Sequence, residues 1–156
     1  MIPSGCSSLY LRSSEMKKYV WLLIIAVSAA VSCVKEPILI DGVINEKARM
    51  DQSDNPAMKY IINKELGKRR VQLFNATVKE VIDSTNIDYD FCVIVDVQTK
   101  KGPVECHIYS TDAKTIASLV KGKTKIDAEG DFGRFFSLID DYYTRVEMLK
   151  SSITIK

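Results

Sequence analysis

Phe91 to Tyr109 reads FCVIVDVQTKKGPVECHIY. Two apolar-rich runs, Phe91 to Val97 and Val104 to Tyr109, flank Thr99-Lys100-Lys101-Gly102-Pro103, a composition that ends strands and makes turns. A turn at Lys100-Lys101 sets Val97 opposite Val104, Val95 opposite Cys106 and Val93 opposite Ile108. Alternation along each strand then gathers these six residues on one apolar face, and a slip by one position would turn one strand's apolar set to water. Cys92 falls on the other face with Ile94 and Asp96, three positions from the residue opposite Cys106. That separation is roughly 10 Å at ~3.4 Å per residue. A disulfide needs Cα atoms within about 7 Å, so both cysteines are predicted to stay unpaired.

Working outward, Val71 to Asp83 (VQLFNATVKEVID) is a strand rich in β-branched residues, joined to the hairpin by the polar connection Asp83 to Asp90. Thr111-Asp112 can cap a helix of one to two turns through Ile116, Ala117, Leu119 and Val120, stopped by Gly122. Lys123 to Glu129 is a fourth strand ending at Gly130, and Arg145 to Ile155 a fifth. Before the strands, Asn55-Pro56 reads as an N-cap with proline in the first turn, and Gly67 as a stop. Met58, Ile61, Ile62 and Leu66 make one apolar helix face between them. The expected fold is mainly β: a five-stranded Greek-key barrel of the OB type, with a short helix between strands three and four and an N-terminal helix.

The apolar run Tyr19 to Val31 follows Met16-Lys17-Lys18 and has 13 residues, short of the ~20 that span a bilayer and suited to a signal peptide. It ends in Ala30-Val31-Ser32-Cys33. This resembles the lipobox of bacterial lipoproteins, with Ala30 where leucine is usual. The resemblance implies cleavage before Cys33, a diacylglycerol on its thiol and an acyl chain such as palmitate on its amine. The partner so implied is a membrane, in the cell envelope, an outer membrane where there is one, with the domain in the periplasm or at the cell surface. Residues 1–15 fit no signal-peptide region, so translation is expected to start at Met16, with residues 16–32 the signal peptide. The polar residues 33–54 are expected to be a tether, and 55–156 the helix and barrel.

From Lys68 onward, the chain resembles the small bacterial OB-fold proteins with a tRNA-anticodon-binding-like domain. Gly67-Lys68, Ala76-Thr77-Val78-Lys79-Glu80-Val81, Val104 to Tyr109, Ala117 to Lys123 and Ala128-Glu129-Gly130 carry the resemblance. Ala76 stands where the family often has glycine. The family name describes ancestry of the fold and implies no ligand.

Charge and motifs narrow the function. Loss of Arg12, Lys17, Lys18 and Glu15 with the front end leaves 19 basic and 19 acidic residues, and residues 68–156 hold 14 against 13. Such a balance lacks the positive groove that tracks phosphates. No Gly-rich phosphate loop, Gly-x-Ser-x-Gly, Cys–His–Asn set or metal-ligand spacing occurs. No catalytic residue, cofactor or metal is expected. His107, the only histidine, reads as an outward strand residue, and Asp140-Asp141 as a solvated turn. The segment Phe132 to Tyr143 (FGRFFSLIDDYY) places Phe132, Phe135, Phe136, Ile139 and Tyr143 at helical spacing. It reads either as a helix plugging a barrel end or as a ligand platform, whose contacts would be Tyr109, Arg134, Phe135, Phe136, Tyr142 and Tyr143. The expected function is a membrane-anchored, non-catalytic binding module for an envelope protein or small ligand. The alternative is single-stranded nucleic-acid or oligosaccharide binding through the barrel face.

Overall fold

Antiparallel pairing of β3 (Phe91–Thr99) with β4 (Gly102–Ser110) sets Val97 against Val104, Val95 against Cys106 and Val93 against Ile108, as the sequence predicts. The computed structural model describes residues 35–136 and 144–156. The turn is held by Thr99, whose hydroxyl donates to the Gly102 carbonyl at 2.7 Å and accepts from the Lys101 N–H at 3.2 Å. Gly102 takes φ +119°, a backbone region closed to residues with a side chain. Val93, Val95, Cys106 and Ile108 are fully buried. Both Cys92 and Cys106 are free thiols, on opposite faces of the sheet.

The remaining strands are β1 (Glu36–Leu39), β2 (Arg69–Asp83), β5 (Lys125–Phe136) and β6 (Thr144–Ile155). The helices are α1 (Ile40–Asp51), α2 (Pro56–Leu66) and α3 (Ala113–Ile116). Around the barrel the order is β2-β3-β4-β6-β5, and β5 returns to pair with β2. Only β4 and β6 run parallel within the ring. This is the closed Greek-key barrel of the OB fold.

Closure requires β2 to serve two neighbours, β5 along its first half and β3 along its second. It bends at Asn75, which takes φ 55° where asparagine is tolerated and donates its N–H to Asp127 Oδ1 at 2.8 Å. A bulge between Leu73 and Ala76, and another between Val78 and Glu80, complete the turn of the strand.

Three expectations are corrected. First, residues 33–54 are not a tether along their length. Glu36–Leu39 forms β1, parallel to the start of β2, and Ile40–Asp51 is a helix. Ile40, Val43 and Ile44 enter the barrel core together with Phe132, and the Asp41 carboxylate accepts the Lys100 N–H at 3.0 Å beside the β3–β4 turn. Second, Gly130 does not end the fourth strand, which runs on to Phe136. A Cβ there would collide with Ser151 Oγ and lie 2.9 Å from the Leu149 carbonyl, so glycine marks a close approach of β5 to β6 at a bulge. Third, Phe132, Phe135 and Phe136 are strand residues. A register shift between Phe132 and Phe135 puts both on the inner side, opposite Met148 and Val146, while Phe136 pairs with Arg145. Residues 137–143 of that segment lie outside the described residues, and one barrel end is covered by α1.

The cap at the other end is α3, shorter than the sequence suggests. Asp112 caps it by accepting the Thr115 N–H at 3.1 Å, Ile116 enters the core, and the chain continues in turns to Gly122. Asn55 caps α2 by accepting from the Ala57 N–H at 2.9 Å, and Ile62 and Leu66 are its buried residues.

If α1 is a plug, Val43→Ala should cost about 2 kcal/mol in urea unfolding, as a buried large-to-small change does. Arg49→Ala, on the exposed side of the same helix, should stay within about 0.5 kcal/mol. Equal, negligible effects would return residues 40–51 to a tether.

Candidate functional site

The outer side of β3, β4 and β6 is built by alternation. Residues one position away from the core set point outward: Cys92, Ile94 and Asp96 on β3, Glu105, His107 and Tyr109 on β4, Arg145 and Glu147 on β6. Asp96 lies directly opposite Glu105. Like charges so placed repel, and two cations answer them. Lys79, the extra residue of the second β2 bulge, sends its ammonium to Glu105 Oε2 at 2.6 Å and stands 3.5 Å from Asp96. Arg145, paired with Glu105 in the parallel ladder, donates Nε–H to Glu105 Oε1 at 3.0 Å. His107 Nε2 lies 3.0 Å from the same oxygen, which places its proton on that nitrogen because a carboxylate only accepts.

Glu105 and Arg145 are 7% and 8% exposed, low for outward-facing charges. Burial raises the Glu105 carboxyl, but the hydrogen bonds from Lys79, His107 and Arg145 outweigh it and hold the group at about 2. The Lys79 ammonium is raised in turn by its bond to Glu105. One N–H-bearing atom is left over: Arg145 Nη1 is buried and meets no acceptor among the described residues.

The network is flanked by aromatic and apolar groups. The Phe136 ring meets His107 edge-on at 4.7 Å between centroids. Beyond His107, Tyr109 packs with Cys92 and Ile94 in a second, outer cluster that Tyr89 and Leu149 cover. Tyr89 and Tyr109 lie 5.8 Å apart, tilted by 44°, and the Tyr89 hydroxyl accepts the Lys150 N–H at 3.0 Å. Burial pushes the Cys92 thiol to about 12, with Cys106 alike, so neither is a nucleophile near neutral pH.

The residues named from sequence are thus separated. Phe136 is on this face. Tyr109 is there too, but only 7% exposed beneath Tyr89, so its ring is not an open platform. Arg134 reaches across to β6 in a two-point pair with Glu147, at 2.8 and 2.9 Å. Phe135 turns the other way, against Phe132 and under the Lys47 ammonium of α1. Tyr142 and Tyr143 lie outside the described residues, as do Cys33, Ile139, Asp140 and Asp141. The reading missed Lys79, Glu105 and Arg145. The available signal was the alternation itself, which puts Asp96 and Glu105 opposite each other in the correct hairpin register and so calls for a cation.

A second concavity, an open groove of about 640 Å³, lies at the α3 end between Val81, Ile82, Phe91, Ile116 and Ala117. It has an apolar lining and little polar chemistry. Among the described residues no group of three His, Cys, Asp or Glu could hold a metal ion, and no helix is long and apolar enough to cross a membrane. The described domain is therefore an OB barrel with an internally neutralised charged patch on the outer face of three adjacent strands. No protein-family model matches the chain, and no curated protein does.

Because Glu105 lies below its ordinary value of 4.5, its contribution to stability is complete above that pH and is lost as the pH falls through about 2. The wild type should lose stability across that window, and Glu105→Gln should show a flatter acid limb. At pH 7, Glu105→Gln should cost about 3 kcal/mol, since it leaves buried Arg145 without its carboxylate. An unchanged acid limb would show that Glu105 is not the titrating group.

Proposed function

We propose that this chain is a lipid-anchored lipoprotein of the bacterial cell envelope, and that its barrel is a non-catalytic binding module. The ligand or partner protein is met on the outer face of β3, β4 and β6. The observation that carries the binding reading is the cluster of Lys79, Glu105, His107 and Arg145 beside Phe136 on one outer face, in which Arg145 Nε is held by Glu105 and Nη1 meets no acceptor among the described residues. An unmade hydrogen bond of this kind costs about 1–3 kcal/mol, and because Nη1 is itself covered, a partner recovers it when its docking shifts the Arg145 side chain toward an acceptor. The bond to Glu105 already holds one side of the guanidinium, which limits the ordering left for binding.

The charge pattern favours a protein or small ligand over nucleic acid. Lys79, Arg134 and Arg145 are each paired with Glu105 or Glu147, so these three cations of the face are not free to follow a phosphate backbone. Nor does the face present an open stacking ring at Tyr109. A hydrolytic or group-transfer site would need a nucleophile or base addressed to an open pocket. His107 here is instead turned onto a carboxylate beneath Phe136.

Anchoring rests on the short apolar run and the Ala30-Val31-Ser32-Cys33 sequence. Mass spectrometry of membrane-extracted protein should find acyl chains on an N-terminal Cys33, and Cys33→Ala should leave an unprocessed, unacylated chain. A soluble protein with a free N-terminus elsewhere would end the anchoring reading.

The binding reading is tested separately. A photo-reactive side chain replacing Phe136 should cross-link an envelope component in cells, and the same group replacing fully exposed Ile87 should not. Equal capture at both positions, or none at Phe136, would remove the face from consideration. A submicromolar complex with single-stranded RNA or DNA that weakens steeply with salt would favour the nucleic-acid alternative.

A further inference from the structure

The first described residue stands close in sequence to Cys33. Lys35 is two residues from Cys33, and its ammonium is fixed, 3.0 Å from Asp131 and 3.1 Å from the Gly67 carbonyl. Two residues of chain reach at most about 7 Å. Acyl chains on Cys33 therefore bring the corner formed by Lys35, the start of β1 and the end of α2 down to the headgroup layer. A long tether would have left the orientation open; this connection does not.

The same corner carries the apolar surface that such a position requires. Between β1, α1 and α2 runs a groove of about 270 Å³ in which Ile38, Met58 and Ile61 stand among Glu46, Arg49, Glu65 and Arg69, each of these four held in an ion pair. Ile61 is 53% exposed and Met58 43%, and Tyr60, next to Ile61 on α2, is 66% exposed. Aliphatic side chains with a tyrosine among them suit the boundary between headgroups and acyl chains. The charges nearby are matched: Lys35 with Asp131, Lys68 with Glu65, Arg69 with Glu36. Long-range attraction to anionic lipid is accordingly weak, and the anchor, not charge, must hold the corner down.

Resting on the reading that Cys33 is acylated, we propose that the β1–α2 corner is a membrane-docking surface. Ile61, Met58 and Tyr60 lie in the interfacial layer of the bilayer, and the domain is held against the membrane in one orientation.

The test uses tryptophan fluorescence in the full-length chain after cellular processing. Trp21 is the only tryptophan and lies in the segment removed with the signal peptide, so Tyr60→Trp and Ile87→Trp each introduce a single reporter at an exposed position. Acylated protein, verified by the mass on Cys33, is placed in phosphatidylethanolamine–phosphatidylglycerol vesicles with bromine on the acyl chains near the headgroups. Tyr60→Trp should shift to the blue and lose most of its emission, whereas Ile87→Trp should keep its emission. Changing the phosphatidylglycerol fraction should leave both results unchanged. If acylated protein floats with the vesicles but Tyr60→Trp keeps its emission, the docking surface is overturned while the anchor stands. If that shielded position is accompanied by a dimer in solution, a second copy covers the patch instead, which also overturns the proposal. Absence of acyl chains on Cys33 overturns the anchoring reading and this proposal with it.

Discussion

Everything in this domain follows from one requirement: a valine-rich sheet that curls until β2 can pair with β5 must keep water out of both mouths of the resulting barrel. The interior residues, among them Val71, Leu73, Val78, Val93, Val95, Ile108, Ile126 and Met148, are fully buried. Each is worth about 2 kcal/mol only while both mouths are sealed. Closure itself is paid for in β2, where Asn75 takes an unusual backbone conformation and two bulges bend the strand. Ile116 on α3 covers one end. Ile40, Val43 and Ile44 on α1 join Phe132 in the core and cover the end near the β3–β4 turn. The barrel is therefore inseparable from the residues that precede it.

The outer patch is a by-product of the same geometry. A bulge that lets β2 bend also leaves Lys79 as an extra residue, aimed at two acidic groups on the neighbouring strands. The parallel pairing of β4 with β6, forced by the Greek-key path, brings Arg145 beside Glu105 from a distant part of the chain. Closure and the candidate site thus share their residues, so a substitution at Lys79 or Glu105 changes both stability and the surface offered to a partner.

Much of the fold was legible in the sequence, for identifiable reasons. The hairpin register could be read because turn chemistry and alternation agree, and α2 because Asn55, Pro56 and Gly67 mark its ends. The plug α1 was not legible: its apolar triple Ile40, Val43 and Ile44 sits among Asp41, Gly42, Asn45, Glu46, Lys47 and Arg49. Locally that is a polar segment, and only the barrel mouth gives the triple something to bury against. The stripe at Phe132, Phe135 and Phe136 misled in the opposite sense. A bulge restores the inward direction after three residues, so a strand imitates helical spacing. Gly130 likewise imitated a stop, though the reason for glycine is the nearness of Ser151. In the site, each strand's outward residues could be listed, but their meeting depends on β2 pairing with β3 and β6 with β4, which no local pattern states.

The account stands or falls on α1 being part of the barrel, and amide hydrogen exchange of the intact domain addresses that directly. The amides of α1 from Val43 onward should exchange only through global opening, as slowly as those of β3 and β4. Exchange of α1 within the first time point, with β3 and β4 still protected, would show a sealed barrel without the plug and contradict the account.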